Sequence, residues 1–124
     1  MKVSTDPLVL QARKGFKPIP VEAPELPGNP ATTDKLALGT MLYFDPRISV
    51  THSISCASCH NIGLGGADNS PVSANFHGTR GARNSPTVFN AVFNFAQFWD
   101  GWAKDLEEQA GGPMLNPVEM TSPK

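Results

Sequence analysis

Two cysteines and a histidine fall within five residues, Cys56-Ala57-Ser58-Cys59-His60, and the chain has no other cysteine. Two thiols three positions apart, followed directly by an imidazole, suit four kinds of chemistry: a disulfide, a metal clamp, a redox dithiol, or the covalent seat of a haem. A structural zinc site needs four ligands, and only His52 and His77 remain to complete one, at no familiar spacing. A thioredoxin-type dithiol needs a strand–helix–strand setting, which the surrounding sequence lacks. A disulfide would leave His60 without a role. C-x-x-C-H is the c-type haem attachment pattern, and its spacing has a physical basis. One helical turn sets the two sulfurs apart to meet the vinyl groups on one porphyrin edge, and the adjacent imidazole reaches the iron as proximal ligand. The residues therefore point to one covalent haem c per chain, seated on Cys56, Cys59 and His60. Covalent attachment of this kind implies maturation outside the cytoplasm, so the expected location is the periplasm.

The bulk of the sequence bounds the setting. A chain of 124 residues is one domain with one core. With 40% hydrophobic and 17% charged residues it is a folded rather than a disordered composition. A net charge of −1 gives no electrostatic argument for nucleic acid or an anionic membrane surface. No apolar run approaches the roughly 18 residues of a membrane span. No apolar leader follows Met1-Lys2, so an exported protein would be present here in mature or recombinant form. Twelve prolines and eleven glycines leave few residues for regular elements, and a bound cofactor would supply the missing apolar volume.

The elements that must position the motif are helical. Asp6 to Phe16 reads as a short amphipathic helix with Leu8, Leu10 and Ala12 toward its apolar side. Lys17 to Pro30 is a proline-rich, extended wrap. Thr33 or Asp34 caps a second helix through Phe44, with Leu36, Leu38, Met41 and Leu42 as its apolar residues, and Asp45-Pro46 stops it. Gly63 to Arg83 is glycine-rich and lacks hydrophobic periodicity, which predicts a long ordered loop, usually a functional one. Ser85-Pro86 reads as an N-cap and first helical position, with Phe89, Val92, Phe93 and Ala96 on one face of the helix that follows. Ala103 to Ala110 reads as a further helix, ended by Gly111-Gly112-Pro113. Ser122-Pro123 is again a helix start, and the expectation is a piece of a longer protein. No segment reads as a convincing strand, so the expected class is all-α with long ordered loops.

A haem alone fits either an electron carrier or a catalyst. A carrier keeps both axial positions filled; a peroxidase needs an openable distal face with an acid–base group beside it. Four blocks bear on the choice: "LGTMLYFDPRIS" (38–49), "SCASCHNIGLGGADN" (55–69), "RNSPTVFNAVFNFAQFWDG" (83–101) and "LEEQAGGPMLNPVEM" (106–120). In this order they resemble the N-terminal, peroxidatic haem domain of the bacterial di-haem cytochrome c peroxidases, with the methylamine-utilisation di-haem enzymes as more distant relatives. The resemblance runs from about Phe16 onward. It implies a cytochrome c-like haem domain over 1–124, with residues 1–32 as N-terminal helix and wrap and 33–124 as haem-binding core. The family's C-terminal domain, with its own C-x-x-C-H, is absent from this sequence.

The resemblance also implies roles. His77 is similar to the family's removable distal ligand, which caps the iron in the resting oxidised enzyme; the loop leading to it is one residue longer than the family's. Glu119 resembles the catalytic acid–base, although Asn116, Pro117 and Glu119 also have capping-box spacing. Gln109 resembles the distal amide beside that glutamate, and Trp99 the tryptophan between the two haems. Asn84 resembles a ligand of the calcium at the domain interface. Arg47, Arg80 and Arg83 are candidates to pair with haem propionates. Trp102 departs from the family's usual arginine. The implied function is reduction of hydrogen peroxide to water. The electrons come through a second haem from a small periplasmic donor, a cytochrome c or a cupredoxin. The competing reading is a mono-haem electron carrier, with His77 or one of Met41, Met114 and Met120 as permanent second ligand.

Overall fold

The structure is a computed structural model and describes residues 5–74, 77–78 and 80–121. The helix start read at Ser122-Pro123 lies outside the described residues. Among the described residues, four α-helices, α1 (Pro7–Gly15), α2 (Thr33–Phe44), α3 (Cys56–Cys59) and α4 (Leu106–Leu115), are joined by irregular chain and single 3₁₀ turns. Among the described residues, β-structure is limited to isolated bridges.

Local chemistry sets the helix ends. The Asp6 carboxylate accepts the Leu8 N–H at 2.8 Å and opens α1, with Pro7 at its first position. No residue of α1 is buried, so its apolar side chains lie on the surface instead of against a core. The cap of α2 is Thr32, one residue earlier than expected; its hydroxyl accepts the Lys35 N–H at 3.3 Å. Leu36, Leu38, Met41 and Leu42 all remain exposed on α2, although the helix packs against α3. The Tyr43 hydroxyl ties the two together by donating to the His60 carbonyl.

Two expected helices are corrected. Ser85 to Ala96 forms no α-helix; only Ala91–Phe93 makes a 3₁₀ turn. The reason lies in where the backbone groups go. The Val88 N–H donates to the Gly66 carbonyl at 3.2 Å, and the Thr87 hydroxyl donates to the Gly65 carbonyl at 2.6 Å while accepting the Phe89 N–H at 3.1 Å. Asn90 then takes left-handed backbone at φ 58°, which an α-helix cannot contain. The second correction is α4, expected from Ala103 and stopped by Gly111-Gly112-Pro113. Ala103 is instead fully buried, its carbonyl accepting the Gln97 N–H at 2.7 Å. The helix starts after Asp105, whose carboxylate accepts the Glu108 N–H at 2.9 Å, and runs through Pro113 to Leu115. Gly112 serves a close approach rather than a stop: a Cβ there would stand 3.2 Å from the Phe98 ring and 3.4 Å from that of Trp102. Those two rings meet edge to face with centroids 5.5 Å apart, which is where the unusual Trp102 sits.

The chain closes on itself at residues 116–121. The Met120 carbonyl accepts the Val50 N–H at 3.0 Å, and Met120 is buried at 5% exposure beside the fully enclosed Ser49. Among the described residues, Met120 and Ala103 are the buried hydrophobic side chains, while Trp99, Trp102 and Phe95 stay exposed. Very little of the apolar surface is therefore covered by the chain's own atoms.

The tight contact of residues 65–66 with 87–88 generates a contrast. Gly65 and Gly66 both have left-handed backbone, at φ 80° and 78°, but only at Gly66 would a Cβ meet neighbours, 2.9 Å from Thr87 Oγ1 and 3.0 Å from the Val88 backbone nitrogen. Gly65→Ala should cost about 1 kcal/mol, the left-handed penalty alone. Gly66→Ala should cost at least about 2 kcal/mol, because overpacking adds to it. Urea unfolding of the two variants checks the order.

Candidate functional site

The single turn of α3 places Cys56 and Cys59 at i and i+3, on one face of the helix. The Ser58 hydroxyl accepts the Ser55 N–H at 3.0 Å at its start, and the His60 N–H donates to the Cys56 carbonyl at 2.9 Å at its end. Both thiols are free and half-buried. Burial pushes the Cys56 thiol up, and burial followed by the Asp68 and Glu119 carboxylates does the same to Cys59. A redox or nucleophilic cysteine needs the opposite, a thiol lowered toward the thiolate. The electrostatics therefore argue against a catalytic dithiol.

His60 is held by its ring. Nδ1 lies 3.0 Å from the Pro86 carbonyl oxygen and 3.4 Å from that of Gly66. Two carbonyl acceptors select the tautomer with the proton on Nδ1, which leaves Nε2 as a lone-pair donor to a metal. Two thiols on one face of a turn and an oriented imidazole with Nε2 open are the donor set of a c-type haem. The open apolar side chains of α2 suit a bulky apolar group in the same way. A haem fits these residues.

Glu119 comes to the same place from the far end of the sequence. Its half-buried carboxyl is raised by burial, against the Asn116 hydrogen bond and the nearby His60 ring. Glu119 does not close a capping box. Its Oε1 accepts from the Asn116 side-chain amide at 2.8 Å, the Asn116 N–H goes to the Pro113 carbonyl, and residues 117–120 form a turn rather than a helix.

His77 is exposed on a turn closed by the Ala74–Arg80 bridge, with Gly78 after it at φ 74°. The turn's base abuts the motif: the Ala74 carbonyl lies 4.0 Å from Cys59 Sγ. Trp99 and Asn84 meet, the indole Nε1–H donating to the Asn84 carbonyl at 3.1 Å, while the Asn84 side chain is exposed. Arg83 pairs with Asp100 at 2.8 Å. Arg47 grips Asp45 through its Nε at 2.9 and 3.0 Å and holds that carboxyl down at about 2. Arg80 is exposed. Gln109 is half-buried on α4, and no hydrogen bond joins it to Glu119. Met120, one of the thioether candidates, is enclosed by protein atoms rather than facing an open site.

Sequence reasoning missed the groups that orient His60. Pro86 was read as a helix start and Gly66 as loop, yet both supply carbonyls to the imidazole. Tyr43 and Ser85 were missed too. A buried serine beside a proline carries no sequence signal for this; only the pairing of distant segments does.

Comparisons with known proteins give the family. A family model described as di-haem cytochrome c peroxidase matches residues 33–124. The cytochrome c551 peroxidase of Pseudomonas aeruginosa is 58% identical over 117 residues, covering 94% of this chain and 34% of that protein. The cytochrome c551 peroxidase of Nitrosomonas europaea is 48% identical over 114 residues, covering 92% and 32%. Among solved structures, a MauG-like protein associated with microbial copper homeostasis matches with a TM-score of 0.77 at 28% identity, covering 86% of this chain and 31% of that one. The chain thus spans about a third of the length of the curated relatives it matches. With its family match extending over well more than half its length and the C-x-x-C-H turn inside it, the chain belongs to the di-haem cytochrome c peroxidase family.

Proposed function

We propose that this chain is the peroxidatic haem domain of a periplasmic di-haem peroxidase, with a cytochrome c-like fold and long ordered loops. The whole protein reduces hydrogen peroxide to two waters with two protons and two electrons. The electrons arrive from a small donor, a cytochrome c or a cupredoxin, through a second haem in another domain. The observation that carries this reading is that Glu119, about sixty positions from His60 and Cys59 in sequence, is half-buried and within electrostatic reach of both. An electron carrier has no use for a half-buried carboxyl there.

The haem would be held by thioether bonds to Cys56 and Cys59 and by His60 Nε2, and it would supply the redox equivalents for O–O cleavage. The chain's own residues do the rest. The Pro86 and Gly66 carbonyls keep the His60 ring in one orientation and make it a stronger donor. Asn116 occupies Glu119 Oε1, so Oε2 is the oxygen left to take a proton from the near peroxide oxygen and return it to the far one. Burial raises the carboxyl toward the working pH, where proton exchange is most effective. Gln109 orients peroxide or water beside it. His77, followed by Gly78, would be a second, removable residue holding the haem. Trp99 lies on the route to the second haem, Asn84 is offered to an interdomain calcium, and Arg47, Arg80 and Arg83 to the propionates, the first and last after release from Asp45 and Asp100.

In the full-length, haem-loaded parent, Glu119→Gln should lower kcat for peroxide about 10²–10⁴-fold, the usual worth of a positioned acid–base group. The acid limb of the pH–rate profile should lie above 4.5 and disappear in the variant, because the carboxyl is raised from that value. Unchanged kcat and an unchanged limb would sink the assignment.

The same shift has a stability consequence. A carboxyl raised in the folded state contributes stability that is fully present below its unfolded value of 4.5 and is lost as pH rises through the higher folded value. Thermal melts between pH 4 and 7 should show Glu119→Gln losing less stability with rising pH than the parent sequence. For His77, replacement by alanine should convert the oxidised spectrum from six-coordinate low-spin to high-spin; a persistent low-spin spectrum would exclude His77 as the distal ligand.

A further inference from the structure

Ser85 is a buried polar residue, 8% exposed, that the proposed chemistry does not use. Its hydroxyl oxygen lies 2.6 Å from that of Ser73. Ser73 is the base of the His77 turn: its carbonyl accepts the Gly81 N–H at 2.9 Å and its N–H donates to the Arg83 carbonyl at 3.3 Å. The residue after Ser85 is Pro86, whose carbonyl faces His60 Nδ1 at 3.0 Å. Two consecutive residues therefore hold two different parts of the site, Ser85 the foot of the His77 turn and Pro86 the ring of His60.

His77 and Gly78 are exposed, and Gly78 has left-handed backbone at φ 74°. Among the described residues, two backbone hydrogen bonds of Ser73 and the Ala74–Arg80 bridge stand beside the serine pair at the base of the turn. We propose that Ser85 is a positioning residue: its hydroxyl registers the His77 turn against the segment that orients His60, and so sets how firmly His77 is held over the site. The proposal rests on the reading of His77 as the removable distal ligand.

The test uses the full-length, haem-loaded parent with Ser85→Ala, Ser73→Ala, the double variant and Ser85→Thr. Two signals are read: amide hydrogen exchange of the turn across residues 73–83, and the low-spin to high-spin ratio of the oxidised protein. Each alanine variant should speed exchange in the turn about fivefold, the effect of one lost side-chain hydrogen bond on a local equilibrium. The double variant should exceed neither single, because the two hydroxyls act as one bond. Ser85→Thr, which keeps the hydroxyl, should restore the slow rate. The low-spin share should fall in the alanine variants while His60 ligation is retained. Unchanged exchange in both singles, or effects that add in the double, would overturn the proposal. A His77→Ala spectrum equal to that of the parent sequence would instead overturn the distal-ligand reading, and the exchange data would still decide the role of Ser85.

Discussion

Much of the irregular backbone between residues 61 and 90 is arranged around one imidazole. His60 has two carbonyl oxygens near Nδ1, and Gly66 and Pro86 provide them from two separate segments of the chain. Bringing these two segments together leaves no room for a Cβ at position 66, where the backbone nitrogen of Val88 stands 3.0 Å away. It also joins Thr87 and Val88 to Gly65 and Gly66, and it diverts the Pro86 carbonyl to His60 and the Phe89 N–H to the Thr87 hydroxyl, both of which an α-helix starting here would use. The left-handed Asn90 and the short Ala91–Phe93 turn follow from that commitment. The orientation of one ring thus sets a glycine, a proline and the loss of an expected helix.

The second feature of the chain is how little it buries for itself. A domain of this size ordinarily removes about two thirds of its unfolded surface from water. Here the buried hydrophobic side chains among the described residues are Ala103 and Met120, and α2 leaves Leu36, Leu38, Met41 and Leu42 exposed. In the proposed holo-protein, apolar side chains that find no protein partner would be covered by the haem or by the rest of the parent. Stability and occupancy then become one equilibrium, because a group that binds only the folded state stabilises it. The high proline and glycine content already carries this in the sequence: prolines restrict the unfolded chain, glycines permit tight loops, and neither supplies core.

Legibility divided along the line between local and distant interactions. The one-turn helix of the C-x-x-C-H motif, the end of α2 at Asp45-Pro46 and the start of α1 at Asp6-Pro7 are written in neighbouring residues, and each forms as read. The helix read at Ser85-Pro86 has every local signal and still does not form: the Phe89 N–H goes to the Thr87 hydroxyl, the Pro86 carbonyl faces His60, and Asn90 turns left-handed. The reading of Gly111-Gly112-Pro113 as a stop failed for a similar reason. At Gly112 the glycine answers to the Phe98 and Trp102 rings, and Pro113 is tolerated inside the last turn. At the site, Cys56, Cys59 and His60 were legible because their spacing is the chemistry. The role proposed for Glu119 comes from family resemblance alone, since Asn116-Pro117 offers an equally good capping pattern in the sequence. Ser85, Tyr43 and the carbonyls of Gly66 and Pro86 were not legible, because a backbone acceptor or a buried hydroxyl has no identity in sequence until the fold selects it.

The most direct measurement of the central claim is the intact mass of this polypeptide after maturation in a bacterial periplasm, taken under denaturing conditions and after acid–acetone extraction. The expected result is the mass of the chain plus one haem, unchanged by extraction, because two thioether bonds to Cys56 and Cys59 survive unfolding. A mass equal to the polypeptide alone, or a haem that extraction removes, would contradict the assignment of this turn as a covalent haem seat.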